Sequence, residues 1–140
     1  MDDPETRVTL MITVIAGAAA VRSATAVADA RDTARAFLEG LRQPAVAPDA
    51  ADTVVLVVSE LVPHALRHGG GRCTLELTAH PDAIEVAVHD GSRHPPRMRT
   101  PDLNGGTGGF GWPMVNRLAH TTTVTRRASG GKTVSACLAR

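Results

Sequence analysis

The chain has 140 residues, a formal net charge of +1, and 43% hydrophobic against 21% charged residues. That suits one globular domain with one core and excludes a general basic surface for nucleic acid. Two cysteines, Cys73 and Cys137, are too few for a secreted disulfide scaffold and point to reduced thiols in a cytoplasm; no apolar run is long enough to span a bilayer.

In chain order, residues 1–6 read as a frayed tail. Val8 to Val14 alternates like a half-buried strand. Ala24-Thr25-Ala26 imitates a signal-peptidase site, but Asp2, Asp3 and Glu5 make the preceding segment acidic, and Thr9 and Thr13 interrupt its apolar run, so no cleavage is expected. Ala16 to Ala20 is small and ambiguous. Val21 to Leu41 reads as a helix with Val27, Ala30, Ala34, Phe37, Leu38 and Leu41 on one side. Gln43 to Pro48 is a proline-containing connection.

The next helix is the stretch around which the chain is organised. Val54, Val55, Val58, Leu61, Val62, Ala65 and Leu66 recur at helical spacing and form one apolar stripe. Glu60 and His64 lie four apart on another face, which Arg67 and His68 extend. Asp49 is expected to cap the start, and Gly69-Gly70-Gly71 the end. Pro63 removes a helical hydrogen bond and crowds the Ser59 carbonyl, so a kink is expected there.

Arg72 to Ala79 and Ala83 to Asp90 alternate on either side of His80-Pro81-Asp82, a hairpin pattern. Gly91 to Gly108 is rich in Gly and Pro and has no periodicity, which marks a functional or disordered loop. Gly109 to Ala119 starts a short helix, with Pro113 suited to its first turn. Thr121 to Arg127 and Lys132 to Leu138 are strands around Ser129-Gly130-Gly131. This order predicts an α/β two-layer sandwich, a mainly antiparallel mixed sheet covered on one face by helices, as a single domain over residues 1–140.

Ser59-Glu60-Leu61-Val62-Pro63-His64-Ala65-Leu66-Arg67-His68-Gly69 resembles the N box of the GHKL nucleotide-binding superfamily, the histidine kinase-like ATPases, and within it the small anti-sigma-factor serine kinases. The family pattern is Ser-Glu-Leu-Val-x-Asn-Ala-x-x-His-Gly; His64 stands at the Asn, beside Pro63. Three further stretches follow in the family's order. Val86 to Gly91 resembles the G1 box, which implies that Asp90, with Gly91 beside it, reads the exocyclic amine of adenine. The ordinary reading of Asp90-Gly91 is a strand-terminating turn. Gly105 to Val115 resembles the G2 box, which assigns Gly108, Gly109, Phe110, Gly111 and Trp112 to the phosphate side. Gly130 to Val134 resembles the last motif, which implies that Thr133 supports the adenine pocket. Gly91 to Gly108 would be the lid over ATP or ADP, with Arg93, Arg97 and Arg99 within reach of phosphates or merely solvating the loop.

In those kinases the N-box Glu acts as general base or orients the attacking group, and the Asn oxygen holds Mg²⁺. Glu60 is in place for the first role. His64 is badly suited to the second, because Mg²⁺ prefers oxygen ligands. Three readings stay open. The chain is an active ATP-dependent serine kinase with Mg²⁺ held by Glu60, waters and phosphates. Alternatively it is a weak or inactive homologue acting as a protein-binding module. A third reading makes Glu60, His64 and His68 a transition-metal site. The chain ends soon after its last strand, so output is expected to pass through a separate protein. The resemblance implies a sigma factor and an antagonist protein as partners, and a homodimer.

Overall fold

The computed structural model describes residues 7–16, 20–42, 44–92 and 111–140. The expected tail over residues 1–6 and nearly all of the expected lid lie outside them, including Arg93, Arg97, Arg99, Gly108, Gly109 and Phe110.

Strand β1 (Val8–Ile15) is followed by α1 (Ala20–Glu39) and α2 (Pro48–His68), then by the hairpin β2 (Arg72–Ala79) and β3 (Ala83–Asp90). After α3 (Gly111–Leu118) a second hairpin, β4 (Thr121–Arg126) and β5 (Lys132–Ala139), completes the element order. The strands form one sheet in the order β1-β2-β3-β5-β4. All four pairings are antiparallel, so no parallel pair appears among the described residues and the expected mixed sheet is antiparallel throughout. The two hairpins account for half of those pairings, since a short turn joins only antiparallel neighbours.

The period-2 alternation fixes two faces. Val14, Cys73, Leu75, Leu77, Ile84, Val86, Val88, Val134, Ala136 and Leu138 are buried on the helix side. Leu75, Leu77, Ile84 and Val86 are fully closed from solvent, and burial of such a side chain contributes about 1.5–3 kcal/mol relative to exposure. The other face carries Thr74, Glu76, Glu85, His89, Thr133 and Ser135, none of them fully buried.

Every residue of the expected stripe on α2 is buried, and Ala51 and Val57 join it. The start of the helix differs from expectation. Ala47 occupies the cap with no side-chain hydrogen bond, Pro48 opens the helix, and Asp49 lies inside the first turn. There the fixed φ of proline and the acid's charge at the positive helix end replace a side-chain cap. The helix continues through Pro63 to His68. On α1, Ala26, Ala30, Ala34 and Leu38 form the buried row, with Val27 and Phe37 packed at its edge.

Candidate functional site

The site is built where the C-terminal half of α2 meets the ends of β3 and β5. The chain leaves α2 at Gly69, whose N–H donates to the Ala65 carbonyl at 2.7 Å. A Cβ on Gly69 would lie 2.6 Å from the Ala65 carbonyl oxygen, 2.8 Å from the Arg72 carbonyl oxygen and 2.9 Å from the Asp90 Cβ. Only glycine lets the helix end close onto the strand that carries Asp90.

Asp90 is the last residue of β3, on the helix side, and stands directly opposite Lys132, the first residue of β5. Lys132 Nζ donates to Asp90 Oδ2 at 2.9 Å and to Oδ1 at 3.1 Å. Both side chains are 1% exposed. Oδ1 also accepts the Ser92 N–H at 2.7 Å, and Arg127 Nη2 donates to the Asp90 carbonyl at 3.4 Å. A Cβ on Gly131 would run into that same carbonyl, and its φ of +84° favours glycine besides.

The pairing with Lys132 was not expected from the sequence, where a lysine entering a strand reads as solvated. The signal was the parity of β5: Val134, Ala136 and Leu138 are core residues, which places residue 132 on their face.

The same parity corrects the expectation for Thr133. Its side chain lies on the sheet face turned away from the helices and from Asp90. There His89 joins Thr133 Oγ1 through Nδ1 at 2.6 Å and Glu76 Oε1 through Nε2 at 2.9 Å. Thr133 therefore belongs to a cross-strand network on the far face and does not line the place where Asp90 sits.

Glu60 lies just over two turns before the end of α2, beside the start of α3. A Cβ on Gly111 would stand 2.5 Å from Glu60 Oε2, so the glycine lets the helix N-terminus approach the carboxyl. Burial pushes the Glu60 carboxyl pKa upward. Trp112 packs against the core from the first turn of α3, and the last turn is tied down by Thr122 Oγ1 donating to Asn116 Oδ1 at 2.6 Å. Gly91 is open, with nothing within 4 Å of a Cβ placed there.

His64 faces the same region. Its ring centroid is 4.5 Å from that of His68. Burial, then the His68 and Lys132 charges, hold its pKa down at about 4, with Asp90 acting in the opposite direction. Nε2 is buried and makes no hydrogen bond. Among the described residues no three His, Cys, Asp or Glu side chains are grouped to hold a metal ion, so Glu60, His64 and His68 do not come together as the three-ligand set. Burial first, and the Asp90 charge second, push the Cys73 thiol up to about 12, which keeps it protonated.

The family model described as histidine kinase-like ATPase domain matches residues 21–138. The chain belongs to that family. A search among the curated proteins found no match. Membership in the histidine kinase-like ATPase family supports ATP binding and a regulatory role. A protein-held magnesium ion fits the described residues poorly. The donor offered beside Glu60 is a neutral imidazole nitrogen where an oxygen is wanted. No described helix is long and apolar enough to cross a membrane.

Proposed function

We propose that this protein is a cytoplasmic ATP-binding regulator that acts through a partner protein, in the manner of the anti-sigma-factor serine kinases it resembles. The observation that carries this reading is the convergence of the N-box and G2 elements on one place: Glu60 of α2 lies against Gly111 at the start of α3, on the helix side of the sheet that ends in Asp90. In the proposed arrangement the base reaches Asp90 and the phosphates face the N-terminus of α3, where unpaired N–H groups and the helix dipole favour anions. Gly111 and Trp112 form that first turn.

Glu60 then orients or deprotonates the hydroxyl of a partner serine. Its raised pKa suits this work, because a carboxylate partly withdrawn from water is a stronger base than a solvated one. The partners by resemblance are a sigma factor, which the protein binds, and an antagonist protein, which it phosphorylates; a homodimer belongs to the same reading.

A second reading is favoured by His64. The imidazole with its orphaned Nε2 stands where the kinases of this type have an Asn oxygen. In this reading the protein binds nucleotide and partner without efficient turnover. Labelled ATP incubated with candidate sigma factors and antagonist proteins separates the two. Transfer of label to a serine supports the kinase, and stable complex formation without transfer supports the binding module. Neither transfer nor complex formation with any of them would count against a sigma-factor circuit.

A further inference from the structure

Strand β4 is an edge of the sheet, and among the described residues no strand pairs with its outer side. Its register with β5 runs unbroken from Thr121 to Arg126, and no proline interrupts it. The Arg127 N–H donates to the Gly131 carbonyl at 3.1 Å. Hydrogen-bonded positions alternate along an antiparallel strand, so the N–H and C=O groups of Thr122, Val124 and Arg126 point outward. Five of the six residues of β4 are exposed, and Val124 offers an exposed apolar side chain. A bare edge of this kind is a template for a further strand.

Charge decides which strand fits. All 14 acidic residues of the chain precede Gly111, whereas Arg117, Arg126, Arg127, Lys132 and Arg140 follow it. Lys132 is taken up by Asp90. Arg126 has no carboxylate partner among the described residues, and Arg127 donates to the Asp90 carbonyl. Both arginines line an open cavity of about 200 Å³ at the end of β4, together with Ala128, Gly130 and Gly131. Forked guanidinium donors at such a place match a carboxylate. A second copy of β4 brings no acid to them, and a basic segment is repelled.

We propose that the outer edge of β4 docks an extended, acidic segment of a partner protein. The segment adds as a strand on Thr122, Val124 and Arg126, and one of its carboxylates sits between Arg126 and Arg127. This deepens the reading that the protein acts through a partner, and it needs no nucleotide.

The test titrates the chain with short peptides of alternating valine and threonine that end in glutamates or in lysines, and with the glutamate peptide N-methylated at alternate amides. Amide hydrogen exchange is followed in parallel. The glutamate peptide binds about tenfold more tightly than the lysine peptide, and the difference shrinks as salt rises. Exchange slows at Thr122, Val124 and Arg126, and N-methylation of the peptide abolishes that protection. Arg126→Glu lowers affinity for the glutamate peptide about tenfold. Val124→Pro removes an outward N–H and no ladder bond, and weakens binding about tenfold as well. If Val124→Pro does not fold, the N-methylated peptide tests the same main-chain bonds. Equal binding of the glutamate and lysine peptides overturns the proposal, as does no binding at millimolar peptide or protection at other residues only. Self-association that Val124→Pro abolishes, or tighter binding of an oligonucleotide than of the glutamate peptide, gives the edge another occupant and overturns it too. A complex with a sigma factor or antagonist protein that survives both variants keeps the partner reading and overturns this surface alone.

Discussion

The Cα atoms of Asp90 and Lys132 are register partners in the β3–β5 pairing, and their side chains form a two-pronged ion pair closed from solvent. Taking two charges out of water is unfavourable, and the pair persists because each group neutralises the other and Ser92 satisfies a further lone pair. Removing one partner leaves an uncompensated charge. Lys132→Met is expected to lower unfolding stability by about 3–5 kcal/mol, and the neutral, similarly shaped double variant Lys132→Met with Asp90→Asn by much less. Chemical denaturation of the two variants beside the wild type checks this. Equal losses would mean that the charges are not coupled.

Gly69 closes α2 against Asp90. A methyl group there meets two carbonyl oxygens and a Cβ, all nearer than 3.0 Å, and none of the three is the far end of a flexible side chain. Gly69→Ala is expected to cost about 1–3 kcal/mol by overpacking and to weaken nucleotide binding by displacing Asp90. Gly91→Ala, with open space around its Cβ, serves as the control for stability and should leave it unchanged.

His64 makes stability depend on pH. Its folded pKa of about 4 lies below the ordinary histidine value of 6.5, so the unfolded chain takes up a proton first. The contribution is present above about pH 6.5 and is lost as the pH falls toward 4. The side chain is only half-buried, so after allowance for solvent screening the loss is about 1–2 kcal/mol. His64→Asn should flatten this part of the stability profile between pH 6.5 and 4. It should also increase the dependence of ATP affinity on Mg²⁺, since an amide oxygen replaces the imidazole nitrogen. A slope unchanged in that variant would assign the titration to another group.

Thr133 supplies a check on the corrected placement of the last motif. Its hydroxyl bonds His89 on the face opposite Asp90. Thr133→Val should cost about 1 kcal/mol of stability, the usual worth of one hydrogen bond, and leave ATP affinity unchanged. Loss of ATP affinity without loss of stability would put Thr133 back beside the base.

What the sequence disclosed and what it hid follow the same physical line. The stripe on α2 and the two hairpins were legible because periodicity and turn residues report burial directly. Asp90 at a strand end and Glu60 on the polar side of α2 followed from those elements. Lys132 was missed because the cost of burying an ammonium makes a solvated lysine the default, and its partner lies 42 residues away in sequence. Thr133 was placed by motif, whereas the alternation Val134, Ala136, Leu138 already set the opposite face for it. The start of α2 was misread for a similar reason. Asp49 has the right chemistry for a cap, but Pro48 with its preset φ takes the first helical position and moves the boundary to Ala47.

Glu60→Gln separates chemistry from binding. The variant keeps its shape beside Gly111 and loses the basic oxygen. Phosphotransfer to a partner serine should fall by about 10²–10⁴-fold with ATP affinity within a factor of about two. Unchanged transfer would remove Glu60 from the chemistry.

The measurement that bears most directly on the central claim is a calorimetric titration of the wild-type chain with ATP, run once with Mg²⁺ and once with EDTA. Saturable one-site binding is expected in both, because the base is held by Asp90 and the protein supplies no Asn oxygen for the metal. Absence of binding in both conditions would contradict it and leave a fold that works by protein contacts alone.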